Sequence, residues 1–188
     1  MDSSEFAHIA ACKAGDLTQF DPLYVLHVDA VYTYLHRRTL VREVAEDLTS
    51  VTFIKALESI RSFDPAKGEL RAWLYRIARN SLIDHYRNPA RQTQDIETVW
   101  DLQGDEVASL AAEQSINAAE LHKALGTLKP AQREIVMLRM WEGLSYKEIA
   151  LLTGKTEGNC KVLFSRALDD LRKVLPSLLL LLLFPHLL

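Results

Sequence analysis

The sequence predicts an all-α protein made of two small helical domains that are joined by a polar, acidic linker. The 188 residues contain only six prolines and seven glycines, and few segments alternate as a strand does. Apolar residues instead recur with helical spacing on both sides of residues 88–117, which hold one basic and six acidic residues. We therefore expect domains at residues 1–88 and 116–175, a linker at 89–115 and an apolar tail at 176–188.

Four helices are predicted in the first domain, at residues 7–15, 20–38, 41–62 and 69–87. The third helix carries apolar stripes on two opposite sides. One stripe contains Val44, Leu48, Val51 and Ile54, and the other contains Phe53, Ala56, Leu57 and Ile60. Because one domain core covers only one such stripe, the other stripe either packs on a neighbouring helix or is left for a partner protein.

The fourth predicted helix mixes aromatic rings with guanidinium groups. The residues concerned are Arg71, Trp73, Tyr75, Arg76 and Arg79. Aromatic rings stack on unpaired bases for roughly 1–3 kcal/mol per base, and guanidinium groups bind the adjacent phosphates. Trp73 also has the spacing of a core residue, so we expect it to be buried. The preceding loop, residues 63–68, is then the candidate for capturing a flipped-out base, with Asn80 at its mouth.

The second domain opens with a predicted helix at residues 116–125. The next helix starts at Pro130, which suits a first helical position, and runs to Met140. Ser145, followed three residues later by Glu148, is a capping box that fixes a third helix start.

The last two helices of this domain have the spacing of a helix-turn-helix. Gly154 follows Ala150 by four residues, and Cys160 follows Gly154 by six, while Thr156 can cap the final helix. A plain helical hairpin is the alternative. In the DNA-binding form, the final helix lies in the major groove. Its candidate contacts are Lys155, Thr156, Glu157, Asn159, Lys161, Val162, Ser165 and Arg166.

Catalytic and metal-dependent functions find no support in the sequence. Cys12 and Cys160 are far apart and in no metal-ligand spacing, so we expect a reducing cytoplasm and neither disulfides nor zinc. The first 16 residues lack the pattern of a secretory signal. Acidic residues and histidines do not cluster as catalysis requires, and no phosphate-binding glycine loop is present. We expect no catalytic residues, no metal and no cofactor, and therefore not an enzyme.

Two long segments resemble one known family. The segment AEDLTSVTFIKAL…FDPAKGELRAWLYRIARNSLIDHYR resembles the second conserved region of bacterial extracytoplasmic-function sigma factors. The segment ALGTLKPAQREIVMLRMWEGLSYKEIALLTGKTEGNCKVLFSRALDDLRKVL resembles their fourth region. Such proteins bind core RNA polymerase, direct it to a promoter and help to open the duplex. The resemblance therefore implies a factor for transcription initiation.

The resemblance also implies three binding surfaces. The third helix would bind core polymerase at the clamp of its largest subunit. The residues concerned are Glu46, Asp47, Leu48, Ser50, Val51 and Ile54. The protein would also contact the flap of the second-largest polymerase subunit. The minus-ten element would be recognised and melted by Phe63, Lys67, Arg71, Tyr75, Arg76, Arg79, Asn80 and Arg87. The minus-thirty-five element would be read as duplex by the final helix, and the acidic linker would run toward the active-centre and RNA-exit channels of the polymerase.

The chain departs from the family pattern in three places. Ser50 and Val51 replace a usual Gln-Glu pair, Val162 and Leu163 replace a small polar and a basic residue, and the tail PSLLLLLLFPHLL follows the last helix. Spanning a bilayer needs about 20 residues, so we do not expect membrane contact through the tail. Four alternatives for the tail stay open: it folds back on an apolar patch, it docks on a partner such as an anti-sigma factor, it inserts into a membrane, or it has no role at all.

Two other functions stay open on this sequence. A sigma-like mimic or adaptor would bind an anti-sigma factor without supporting transcription, and the altered residues at 50–51 and 162–163 favour it. A helix-turn-helix repressor would bind duplex DNA without polymerase and would have no use for the basic and aromatic helix.

Overall fold

The computed structural model describes residues 3–39, 41–87 and 123–175. These residues form helices and turns, with no strand among them, which confirms the all-α prediction. The chain divides into two compact units, Met1–Thr93 and Gln94–Leu188. No helix within the described ranges is long and apolar enough to cross a bilayer. The predicted linker at 89–115 and the tail at 176–188 lie outside the described residues.

The first unit contains the four predicted helices and two short 3₁₀ turns. They are α1 Ser3–Ala14, a 3₁₀ turn Leu17–Gln19, α2 Phe20–Thr39, α3 Arg42–Ser59, a 3₁₀ turn Ile60–Ser62 and α4 Leu70–Arg87. Compared with the prediction, α1 begins four residues earlier, and the third helix tightens into its 3₁₀ turn after Ser59. This 3₁₀ turn, which has three residues per turn instead of 3.6, leads the chain into the loop at 63–68.

Helix α2 is the centre of this unit, since it packs against α1, α3 and α4. Its buried side is Phe20, Leu23, His27, Val31, Tyr34, Leu35, Arg38 and Thr39. The ring of Tyr34 lies 4.8 Å from that of Tyr75 on α4. The ring of Phe53 on α3 lies 4.8 Å from Tyr24 and 6.4 Å from Phe20, edge to face in both cases. Such aromatic pairs add about 0.5–1.5 kcal/mol to the burial of their area.

Helix α1 is fastened to α2 by a buried polar pair. Nε2 of His27 lies 2.7 Å from Oε1 of Glu5, and both side chains are less than a tenth exposed. Ile9 and Cys12 continue the buried side of α1 toward its end. A buried polar group is tolerated when a partner satisfies it, so the two side chains depend on each other and fix the docking of α1.

The second unit contains a helical turn at residues 123–126, followed by α5 Pro130–Met140, α6 Tyr146–Thr153 and α7 Glu157–Val174. Helix α7 packs against both α5 and α6. The guanidinium group of Arg133 donates to the carbonyl oxygens of Leu125, Gly126 and Leu128 at 2.9, 3.3 and 3.3 Å. This buried arginine therefore ties the preceding helical turn to α5.

Each unit encloses one of the two cysteines of the chain. Cys12 and Cys160 are both 0% exposed, and both are free thiols. Burial raises the pKa of each thiol, because the thiolate loses its solvation. Both cysteines are therefore core residues, as the helical spacing of Cys160 predicts.

Candidate functional site

The outer face of α3 presents apolar side chains among acidic ones. Val51 is 38% and Ile54 58% exposed, and Glu46, Asp47 and Ser50 are exposed on the same helix. Five of the six residues predicted to bind core polymerase therefore reach the surface of the first unit.

Leu48 is the exception, and its assignment to the polymerase interface is corrected. It is only 5% exposed, because it shares the inward side of α3 with Ala45 and Thr52. The predicted stripe that contains Phe53, Ala56 and Ile60 is also inward. The core of the first unit therefore buries the stripe that contains Phe53 and part of the stripe that contains Leu48, and it leaves Val51 and Ile54 exposed.

Two polar residues of this face, Glu46 and Ser50, are already engaged within α3. The hydroxyl of Ser50 donates to the carbonyl oxygen of Glu46 at 3.0 Å. Nε of Arg42 lies 2.7 Å from Oε1 of Glu46, and both side chains are more than half exposed. An exposed ion pair of this kind contributes little to stability, because solvent screens it. The apolar pair Val51–Ile54 is therefore the part of the face that gains most from burial by a partner.

The residues predicted to bind the minus-ten element fall into two groups. Lys67, Arg76, Asn80 and Arg87 are exposed, while Arg71 and Arg79 are partly buried. All six keep polar groups at or near the surface. Phe63 and Tyr75, in contrast, are 2% and 1% exposed.

The assignment of Phe63 and Tyr75 to base stacking is therefore corrected. The ring of Phe63 lies 5.4 Å from that of Trp73, and the ring of Tyr75 packs on Tyr34. Burial of these rings stabilises the unit, and a ring enclosed in the core presents no face to a base. Trp73 is 9% exposed, so its predicted burial is confirmed.

The loop at 63–68 is a short turn built on Asp64. Oδ1 of Asp64 accepts a hydrogen bond from the amide of Ala66 at 3.0 Å, and its carbonyl oxygen accepts one from the amide of Lys67 at 3.0 Å. Nζ of Lys67 lies 3.5 Å from Oδ2 of Asp64. With Phe63 turned inward, the loop offers a lysine and backbone groups to a ligand, and no aromatic ring.

A groove of about 470 Å³ lies between α3 and α4. Its lining consists of Lys55, Glu58, Ser59, Ile77, Asn80 and Asp84. Nζ of Lys55 donates to Oγ of Ser81 at 3.1 Å and lies 3.9 Å from Oδ2 of Asp84. Ile77 supplies an apolar wall, and the amide of Asn80 supplies both a donor and an acceptor. The groove thus combines the features that a planar, hydrogen-bonding ring requires.

Sequence reasoning found Asn80 and missed Lys55, Glu58, Ser59 and Asp84. The spacing of residues 77, 80 and 84 places them on one face of α4, and that signal could have indicated half of the groove. The other half depends on how α3 packs against α4, which no local pattern contains.

In the second unit, α6 and α7 form the predicted helix-turn-helix. Oγ of Ser145 accepts from the amide of Glu148 at 3.3 Å, and Oε2 of Glu148 accepts from the amide of Ser145 at 2.8 Å. Gly154 ends α6 in the left-handed region, with φ 70° and ψ 19°, where a Cβ would cost about 1–2 kcal/mol. Thr156 then caps α7. The predicted helix starts and the turn between them are confirmed.

All eight residues predicted to read the minus-thirty-five element lie at the surface of α7 or just before it. Lys155 is partly buried, and the other seven are exposed. Val162 is 47% exposed. The opposite side of α7 is the buried one, with Cys160, Phe164, Ala167, Leu168 and Leu171. Helix α7 therefore has one face in the core and one face free for a ligand.

Two cationic side chains contact the ring of Tyr146, next to that free face. Its ring lies 5.8 Å from the ring of Phe164. Cζ of Arg139 lies 5.0 Å from the ring centroid of Tyr146, and Nζ of Lys161 lies 5.9 Å from it. These cation–π contacts hold two cations beside the start of α6, a feature that sequence reasoning did not identify.

Groups suited to metal binding are not brought together in residues 3–39, 41–87 and 123–175. No three side chains of His, Cys, Asp or Glu converge there as ligands would.

Comparison with known proteins gives the two units the same family. Residues 23–92 match Sigma-70 region 2, and residues 118–171 match Sigma-70, region 4. The chain is 37% identical over 172 residues to the ECF RNA polymerase sigma factor BldN of Streptomyces coelicolor, covering 90% of this chain and 65% of that protein. It is 31% identical to the RNA polymerase sigma factor YlaC of Bacillus subtilis, covering 81% of this chain and 90% of that protein.

Solved structures give a consistent result. The sigma factor RpoE of Bartonella quintana, crystallised with the anti-sigma factor NepR, superimposes with a TM-score of 0.61 and 28% identity, covering 82% of this chain and 95% of that one. CnrH, in complex with the cytosolic domain of CnrY, shares the fold with a TM-score of 0.63 at 23% identity, covering 91% of this chain and 96% of that one. The chain belongs to the sigma-70 family, in its group of extracytoplasmic-function RNA polymerase sigma factors.

Proposed function

We propose that this protein binds core RNA polymerase, carries it to promoter DNA in the cytoplasm and promotes the initiation of transcription. It acts as a binding factor and not as an enzyme. The observation that carries the proposal is that the first unit has both an exposed apolar pair on α3 and a polar groove between α3 and α4, with exposed arginines on α4.

The apolar pair Val51–Ile54 is the proposed contact with the clamp of the largest polymerase subunit. Interfaces gain most of their energy from a few central residues that are fully desolvated on binding. Glu46 and Asp47 lie around the pair, and acidic residues at the rim favour a basic partner and its rapid association. Because Ser50 stands where the family usually has a longer polar side chain, the apolar pair would supply most of the binding energy.

The groove between α3 and α4 is the proposed site for a base of the opened minus-ten element. Asn80 would hydrogen-bond the edge of the base, and Ile77 would contact its face. Arg76 and Arg87 are exposed on α4 and would bind the phosphates of the same strand. Capture of an unpaired base favours the melted duplex over the closed one, so binding energy at this groove promotes opening.

The free face of α7 is the proposed reader of the minus-thirty-five element. Asn159 offers an amide that can bind adenine in two hydrogen bonds, and Val162 offers methyl groups that can contact a thymine methyl. Arg166 is exposed on the same helix and would bind a phosphate. The second unit would thus read duplex DNA, while the first reads separated strands.

An anti-sigma factor is the proposed second partner. RpoE of Bartonella quintana, which shares 28% identity with this chain, forms a complex with the anti-sigma factor NepR. An apolar pair that must stay accessible for polymerase is also accessible to a competing helix. We infer that such a regulator would cover Val51 and Ile54 and exclude core polymerase.

Reconstituted transcription with core polymerase and a genomic promoter library tests the proposal. The expected result is core binding in a pull-down and run-off transcripts that depend on this protein. An adaptor that only sequesters a regulator would yield no transcripts. A repressor would bind duplex DNA in the absence of polymerase and would not bind core. Either of these results would overturn the proposal.

A further inference from the structure

We propose that Lys13 of α1 is a positioning residue for promoter opening, because its ammonium group holds the start of the loop at 63–68, four residues after Ser59 in the wall of the base-binding groove. This inference rests on the proposed function of that groove. It assigns a role to α1, which precedes the segment at 23–92 that matches Sigma-70 region 2.

The contact joins two parts of the chain that are 50 residues apart. Nζ of Lys13 donates a hydrogen bond to the carbonyl oxygen of Phe63 at 2.8 Å, in a partly buried setting. Phe63 is the residue at which the 3₁₀ turn ends and the backbone becomes extended, with φ −64° and ψ 130°. A hydrogen bond from a charged donor is roughly twice as strong as one between neutral groups. Lys13 therefore acts at the point where the chain leaves the helical region and enters the loop.

Phe63 is consequently held from two sides. Its ring is fixed in the core against Trp73 of α4, and its carbonyl oxygen is fixed by α1. Ser59, in the wall of the groove, lies one 3₁₀ turn before it. The two anchors set the path of the backbone between the wall of the groove and Lys67, the exposed cation of the loop.

Helix α1, which carries this lysine, is held in place by packing. The buried Glu5–His27 pair secures its first half, and Cys12, next to Lys13, is 0% exposed. Gly15 directly follows the helix, and few residues with a Cβ adopt its φ of 111°. A Cβ built on Gly15 would lie 3.8 Å from Nη2 of Arg61, so the end of α1 and the 3₁₀ turn at 60–62 are close neighbours. The packing of α1 thus places Lys13 near the 3₁₀ turn that leads into the loop.

The first test uses the free, full-length chain and needs no promoter. Lys13→Met keeps the length and apolar stem of the side chain and removes its donor, Lys13→Arg restores a charged donor, and Lys123→Met is the charge-matched control in the other unit. Hydrogen exchange of the backbone amides at residues 63, 64 and 66–68, and tryptic cleavage after Lys67, report on the loop. We expect both to become several-fold faster in Lys13→Met only. Unchanged rates in that variant would overturn the inference.

The second test measures opening on a promoter recovered from the genomic library. With Lys13→Met we expect several-fold fewer permanganate-reactive thymines near the start site, unchanged binding to core polymerase and recovery with Lys13→Arg. Equal opening by Lys13→Met and the wild type would overturn the inference. A loss of opening would also overturn the inference if it paralleled a lower melting temperature of the variant and was not restored by Lys13→Arg. That pattern would indicate a purely structural contact. If the wild-type protein opened no promoter, the proposed function would fail, while the loop measurements would still decide whether Lys13 positions the loop.

Discussion

Nζ of Lys161 lies 2.7 Å from Oε1 of Glu157, one turn earlier on the exposed face of α7. The acidic residue therefore neutralises a cation on the helix proposed to enter the major groove. Glu157→Gln should release Lys161 for a phosphate contact, so we expect duplex affinity to rise a few-fold and the slope of log K against log salt to steepen by about 0.9. Fluorescence anisotropy with a promoter duplex at several salt concentrations measures both. Glu43→Gln, at an exposed position of α3 in the other unit, is the control; a weaker affinity in Glu157→Gln would contradict the assignment.

Introducing charge into the apolar pair on α3 should release core polymerase. Val51→Glu and Ile54→Glu place a carboxylate where a dry contact is proposed, so we expect each to weaken association by at least about 10-fold. Val25→Glu on α2 is the matched control, since Val25 is 72% exposed and lies outside the proposed interface. Binding is measured by pull-down or anisotropy with labelled protein. If all three variants behaved alike, the interface would have to be moved from α3.

Leu48 should respond as a core residue. Because it is 5% exposed, Leu48→Ala leaves a cavity, and we expect the free energy of unfolding to fall by about 2–5 kcal/mol. Urea denaturation followed by circular dichroism provides the value. Val51→Ala, at an exposed site on the same helix, should change it by less than about 0.5 kcal/mol. Similar losses in the two variants would mean that Leu48 is no more buried than Val51.

The groove between α3 and α4 should matter for opening and not for polymerase binding. With Arg76→Ala and Asn80→Ala together, we expect the same affinity for core polymerase but a loss of permanganate-reactive thymines near the start site. Lys123→Ala, at an exposed position of the second unit, is the control for the loss of a positive charge. Persistent reactivity in the double variant would show that the opened base is held elsewhere.

Arg166 and Asn159 should have separable effects on the minus-thirty-five duplex. Removing a phosphate contact weakens binding to all sequences, so Arg166→Ala should lower the salt slope by about 1. Removing a base contact relaxes selection, so Asn159→Ala should lose discrimination at one base pair, worth about 1–3 kcal/mol. Selection of bound sequences from a randomised duplex pool checks the second expectation. A loss of sequence preference in Arg166→Ala would exchange the two roles.

The helix-turn-helix was predictable because its signals are local. Ser145, Gly154 and Thr156 each act on backbone groups within three or four residues, and the capping and left-handed turn chemistry is the same in any context. The structure places each of them as expected. Pro130 likewise starts α5 without reference to the remainder of the fold.

The core of the first unit could be predicted only in part, because its contacts join distant residues. Periodicity identified two stripes on α3, but only the packing of α2 and α4 decides that Leu48 is covered while Ile54 is not. The rings of Phe63 and Tyr75 are near arginines in sequence, which suits either a core or a base-stacking role. Their burial depends on Trp73 and on Tyr34, and the latter contact spans two helices. The same limitation applies to the groove and to Lys13.

The two enclosed thiols have a practical consequence for measuring motion in this protein. With Cys12 and Cys160 both shielded from reagents in the folded state, a cysteine introduced at an exposed position of each unit would take up maleimide dyes selectively, without first replacing the native ones. A donor and acceptor attached in this way would report the distance between the two units in single molecules, first in the free factor and then as polymerase and promoter are added.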